Sequence, residues 1–201
     1  RLLAGDFRDP LVGRDALIGA LFGVAIAVWQ FLFFFVRRGL GDVTLQPSVE
    51  PANTHLGMGY FVDALEGQWT TPLLNQFVLL AMILLLSLIL RREWLGFIAG
   101  GLAYTAMLAL IWGGEPVDWL SASVTAGLST FVLYRYGLLA GMFTLLFLHM
   151  QIRFPVTTNF SAWYATGFVI DLILLLILLI YAFRTSLAGQ SLTHGKFLQD
   201  V

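Results

Sequence analysis

The 201-residue chain contains no cysteine. That absence excludes disulfides, thiolate catalysis and every metal site built on Cys ligands. Charge is scarce as well: 11% of residues are Asp, Glu, Lys or Arg, against roughly a quarter in an ordinary soluble domain. The formal net charge of −1 gives no electrostatic reason to expect a nucleic-acid partner. The three histidines, His55, His149 and His194, are spread over regions too far apart in the chain's reading to converge on one ion, so no metal site is expected. No Gly-rich phosphate loop follows a strand, because no strand is expected.

Catalytic patterns of intramembrane proteolysis are missing too. The "GLST" segment supplies Gly127 and Ser129, but Thr130 stands where a Gly-x-Ser-Gly nucleophile motif has its second glycine. An aspartyl dyad needs two acids sharing a proton, and Asp171 is the one acid well inside an apolar run. No catalytic residue is therefore assigned.

What the chain has instead is apolar surface. Hydrophobic residues make up 59% of it and the mean hydropathy is +0.84, which implies an all-α, polytopic membrane bundle. Six runs approach or reach the roughly 17–25 residues needed to cross about 30 Å of hydrocarbon: Ala16–Val36, Leu73–Leu90, Trp94–Trp112, Trp119–Leu133, Tyr136–Ile152 and Trp163–Phe183. Trp94, Trp112, Trp119 and Trp163 fall at run ends, where amphipathic rings favour the headgroup layer. The fourth run is short and little separates it from the fifth, so five spans with one re-entrant segment is the alternative.

With the N-terminus in the cytoplasm, Arg1, Arg8, Arg14, Arg91, Arg92, Arg135, Arg184 and Lys196 lie inside, and Arg37, Arg38 and Arg153 outside. That excess favours two cytoplasmic termini, although Arg37–Arg38 run against the rule. The organisation expected is a cytoplasmic juxtamembrane linker over 1–15, a transmembrane helical domain over 16–184 with an external loop over 39–72, and a cytoplasmic tail over 185–201. The opening "RLLAGDFRDPLVGRD" matches acids to bases and lacks the pattern of a signal peptide. Arg1–Asp9 is expected along the interface, with Pro10 suited to the first turn of a helix. Within the loop, Leu56, Tyr60, Ala64 and Leu65 sit near helical spacing and suggest either a short interfacial helix or a segment packed on the bundle.

Few polar groups lie at bilayer depth. A carboxylate there is costly, so Asp171 should face the bundle, with His149 or Arg153 as its partner. That pairing reads as structural glue or as a ligand or proton site. A lone intramembrane His could also hold a haem or chlorophyll, which makes His149 a candidate axial ligand alongside the plainer reading of a hydrogen-bonded bundle residue. Gly19 and Gly23, Gly96 and Gly100, and Gly137 and Gly141 form small-xxx-small pairs that let helices approach, within the bundle or in a homodimer.

The opening box, "LRREWL" (Leu90–Leu95), "FPVTTNFSAWYA" (Phe154–Ala165) and "YAFRTSLAGQSL" (Tyr181–Leu192) together resemble the C-terminal multi-span module of bacterial membrane-anchored serine/threonine protein kinases. The resemblance covers nearly the whole chain. It implies a kinase domain on the N-terminal side of Arg1, which would be the only place for ATP and Mg, since no kinase signature occurs in the sequence itself. It also implies the bacterial inner membrane as the location and lipids as immediate partners, with a homodimer or other membrane subunits possible. The module would anchor such a protein and sense for it. The alternative is a non-catalytic accessory subunit of a larger, energy-converting membrane complex, holding lipid or pigment.

Overall fold

The computed structural model describes residues 8–39, 58–153, 159–161 and 165–187. All regular structure among them is helical: α1 (Pro10–Gly39), α2 (Met58–Leu90), α3 (Glu93–Trp112), α4 (Pro116–Tyr136), α5 (Leu138–Arg153) and α6 (Ala165–Ser186). The expected all-α bundle is present. Four of the six are long and apolar enough to cross a membrane: α1, α2 over Leu65–Leu90, α3 and α6. The remaining two differ for physical reasons. Helix α4 has 21 residues, but Asp118, Ser121, Thr125 and Ser129 are buried along it, so its polar groups are turned toward its neighbours. Helix α5 has a shorter apolar stretch, Leu138–Ile152.

Local chemistry sets the helix ends. Pro10 opens α1, where its missing N–H and fixed φ cost nothing. The Asp9 carboxylate accepts the Leu11 N–H at 2.9 Å, a cap on one of the unpaired donors of the first turn. Arg1–Phe7 of the expected interfacial segment lie outside the described residues. At the other end Arg37 and Arg38 occupy the last turn of α1, where cations meet the carbonyl end of the helix dipole. The α2–α3 junction bends at Arg91, a non-glycine residue with φ +55°. The α3–α4 turn uses Gly113 and Gly114, with φ +135° and +78°. Helix α4 then starts with Pro116 at its first turn and a reciprocal box in which Glu115 and Asp118 cap one another's backbone.

The connection read from the sequence as loop up to Pro72 is helical from Met58 onward, and Pro72 lies inside α2. A proline there deprives the Gln68 carbonyl of its helical donor, yet Pro72 and Gln68 are both buried, so packing of this turn outweighs the lost bond. At about 1.5 Å per residue the 33-residue helix is near 50 Å long, more than hydrocarbon requires. The short helix expected around Tyr60 is thus the leading part of α2. His55 and Leu56 fall outside the described residues.

Helix α1 is the centre of the packing, in contact with α4, α5 and α6, while α2 packs on α3 and α5, and α3 on α4. Close approaches fix the helix directions. Gly19 faces Ala140 and Thr144, and Gly23 faces Thr144 and Leu148, so α1 and α5 run parallel. Gly96 and Gly100 face Ser87 and Ile83, so α2 and α3 are antiparallel; Gly13, at the start of α1, faces Ala182 and Thr185 at the end of α6, and the extensive packing of these two helices makes them antiparallel too. Two apolar cores result, one of Leu79, Ile83, Tyr104, Ala126 and Leu133, the other of Ile26, Ala27, Leu145 and Leu148. Outward faces remain greasy: Leu84, Leu88, Ile111 and Ile177 are all more than half exposed, as expected of a lipid-facing surface. Trp94, Trp112 and Trp119 lie exposed at helix ends, where the sequence places them for the headgroup layer.

Candidate functional site

A shielded ion pair lies at one end of the bundle, where α1 ends and α4 begins. There Arg37 Nη1 donates to Asp118 Oδ1 at 2.8 Å, and Arg37 Nη2 lies 3.5 Å from Glu115 Oε2. The two nearer partners are shielded, with side-chain exposures of 13% for Arg37 and 5% for Asp118; Glu115 is 60% exposed. Helix dipoles reinforce the arrangement, since the cation is at a C-terminus and both acids are at an N-terminus. Asp118 Oδ2 also accepts the Glu115 N–H at 3.2 Å. One carboxylate therefore caps a helix and neutralises an arginine.

Beneath this pair lies a chamber of about 280 Å³ lined by Gln30, Phe33, Arg37, Trp112 and Asp118. Gln30 and Trp112 are shared with a larger cavity of about 740 Å³. Its polar wall comes from five helices: Gln30 on α1, Thr71 and Asn75 on α2, Tyr104 on α3, Thr125 on α4 and His149 on α5. Met107, Leu108, Leu148 and Ile152 supply apolar wall. Gln30 is seven residues before Arg37, about 10 Å along the helix, so the cavity extends well below the ion pair.

Few bonds join these polar groups to each other. The amide of Gln30 reaches Thr125 Oγ1 at 3.5 Å, at the long limit of a hydrogen bond. His149 Nδ1 lies 2.8 Å from the Leu145 carbonyl. A carbonyl can only accept, so that nitrogen carries the proton, and in the neutral ring Nε2 is an acceptor. Tyr104 is 1% exposed and lines the cavity, without a hydrogen bond to its hydroxyl among the described residues.

The sequence-derived sites are arranged differently from one another. His149 lines the cavity. Asp171 is buried, 4% exposed, and its Oδ1 has no hydrogen-bond partner. Among the described residues no hydrogen bond or ion pair joins Asp171 to His149, and the Arg153 side chain is outside the described atoms. Helices α5 and α6 touch only slightly, α6 being packed on α1, so burial of Asp171 follows from the α1 side of the bundle. An uncompensated carboxylate is costly at such a position. Asp171→Asn is accordingly expected to cost no more than about 1 kcal/mol in thermal unfolding of the lipid-embedded protein. A loss of several kcal/mol would show that the charge itself has a partner.

The glycines divide as well. Gly19, Gly23, Gly96 and Gly100 all abut a neighbouring helix of the same chain, and Gly141 abuts the Gln76 amide. Both Gln76 amide atoms are buried without a partner. Gly137 has φ +94° and nothing within 4 Å of where a Cβ would lie; it closes the α4–α5 turn, a conformational task rather than the packing expected of it.

Sequence reasoning missed Gln30, Asn75, Tyr104, Thr125 and the Arg37–Asp118 pair. Two signals were present: Gln30 interrupts an otherwise apolar run, and Arg37 runs against the expected distribution of basic residues. Among the described residues no group of three His, Asp or Glu could hold a metal ion. No family model matches the chain, and no curated protein or solved structure does either.

Proposed function

We propose that this chain is the membrane-anchoring and sensing module of a bacterial serine/threonine kinase-like protein, with the kinase domain carried on the N-terminal side. The observation that carries the reading is α1. Its first residue, Pro10, lies within the "RDPLVGRD" box that resembles the kinase linker, and one unbroken helix of 30 residues leads from there to the cavity wall at Gln30 and the ion pair at Arg37. A change at the far end of that helix would be felt at the box.

In this reading the six helices are six crossings of the bacterial inner membrane and both termini are cytoplasmic. The parallel run of α1 and α5 and the antiparallel runs of α1–α6 and α2–α3 support it, as does the distribution of basic residues. A cysteine introduced by Ser48→Cys should react with an impermeant reagent applied from outside, and one introduced by Ser191→Cys should not. The reverse pattern would invert the topology.

A second reading, an accessory subunit of a larger membrane complex, is favoured by one observation. A lipid-side groove of about 560 Å³ between α3 and α4, lined by Trp94, Phe97, Gly101, Gly127 and Tyr134, has room for a lipid or pigment. The mass of the natural gene product separates the two readings. A product several times heavier than the 22.3 kDa of this chain supports the kinase module, and one near that mass refutes it in favour of the subunit.

A further inference from the structure

The cavity below Arg37 and Asp118 calls for an occupant, and its walls specify what kind. Its volume, about 740 Å³, is within the range of roughly 300–1,000 Å³ typical of small-molecule sites. Polar side chains that serve only as glue bond to each other across helices. Here five helices converge on one space, and Gln30 and Thr125 meet across it only at 3.5 Å. Thr71, Asn75 and Tyr104 make no hydrogen bond among the described residues; Thr71 and Asn75 are half-buried and Tyr104 is 1% exposed. Their donors and acceptors are therefore left facing the cavity, available to water or to a ligand that replaces it.

The wall chemistry narrows the class. Amides and hydroxyls of Gln30, Asn75, Thr125 and Tyr104 offer both donors and acceptors. No carboxylate, lysine or arginine lines the larger cavity, so a charged head would give up its hydration without a counter-charge. At the adjoining chamber the Arg37 charge is already balanced by Asp118, with the exposed Glu115 carboxylate as a further acid, so the cation is not free for an anionic head. The apolar wall of Met107, Leu108, Leu148 and Ile152 suits a hydrocarbon portion. We infer that this cavity is a binding site for a neutral amphiphile, whose hydroxyl- or carbonyl-bearing head meets Gln30, Asn75, Tyr104 and Thr125 while its apolar part lies on the α3 and α5 walls. The inference does not depend on the kinase reading.

The absence of native cysteine makes the test direct. T125C and N75C place one thiol on the wall from two different helices, and I177C places one on the exposed face of α6. Each variant is reconstituted in phosphatidylcholine nanodiscs, which leave both membrane faces accessible, and treated with a small neutral methanethiosulfonate. T125C and N75C are expected to react, and I177C to react far more slowly, because a thiol held in lipid does not ionise to the reactive thiolate. With 1-octanoylglycerol at about ten times its Kd, labelling of both wall thiols should slow about tenfold, while octanoate at the same concentration should leave it unchanged. Two independent wall positions guard against one variant that misfolds. Absence of labelling at both, no slowing by 1-octanoylglycerol, or equal slowing by octanoate would each overturn the assignment.

Discussion

Asp118→Leu is expected to cost about 2–4 kcal/mol of stability, a fall of roughly 5–12 °C in the thermal midpoint of a chain this size. The reason is the charge it leaves behind. Arg37 is 13% exposed and Asp118 5%, so the arginine would stay largely desolvated with only Glu115, 3.5 Å away and well exposed, to offset it. Loss of the Asp118 side chain also removes a cap from the start of α4, worth about 1 kcal/mol by itself. Glu115→Ala, by contrast, removes an exposed ion-pair partner of little worth together with its half of the capping box, and should cost about 1 kcal/mol. The decisive variant is the double Arg37→Met, Asp118→Leu, which removes both charges together. It should recover most of the loss, since a buried pair replaced by apolar groups of similar volume is often neutral or stabilising. A double variant no more stable than Asp118→Leu would mean that the cap, and not the charge, is what the single change destroys.

That pair also explains why one part of the sequence could be read and another not. Apolar length alone identifies α1, α3 and α6, and Trp94, Trp112 and Trp119 mark helix ends, because both properties depend on the solvent and need no knowledge of neighbours; Trp163 lies outside the described residues. Arg37 is different. Counted as a free basic residue it argues against the favoured topology, but bound to Asp118, 81 positions away, it carries no net local charge. Nothing local in either segment announces that meeting. The same holds for the cavity: Gln30, Asn75, Tyr104 and Thr125 are scattered over 96 residues and look, one by one, like ordinary polar substitutions. Only the crossing of four helices makes them a set. Pro72 misled for another reason, since proline is a local stop signal that the buried turn at Gln68 and Pro72 overrides. Asp171 shows the limit of depth arguments. Its burial followed from the cost of a carboxylate in lipid, but which helix it would face depended on α6 packing against α1 and hardly at all against α5.

Gly19→Ala is expected to destabilise the bundle by about 2–3 kcal/mol, although alanine is the better helix former by about 1 kcal/mol. A Cβ at Gly19 would lie 2.8 Å from the Ala140 carbonyl and 2.9 Å from the Thr144 nitrogen, and would overlap the Phe143 Cβ. These are backbone atoms and a β-carbon, which no rotamer change can move aside. The helices must separate instead, and separation strips contacts from the core of Ile26, Ala27, Leu145 and Leu148. Gly23→Ala meets the same obstacle one turn on, with the Thr144 carbonyl and the Phe147 Cβ both at 2.7 Å, and should cost a similar amount. Gly127→Ala is the control: nothing lies within 4 Å of its Cβ position, so only the helix propensity acts and the midpoint should hold or rise. The double variant Gly19→Ala, Gly23→Ala separates a shared cause from two local ones. Once α1 has moved off α5 to admit the first methyl, the second finds space already open, so the two losses should add to distinctly less than their sum. Thermal midpoints of the four variants in the same lipid decide it. If Gly19→Ala is as stable as Gly127→Ala, the close parallel contact of α1 with α5 is not what holds the centre of this bundle together.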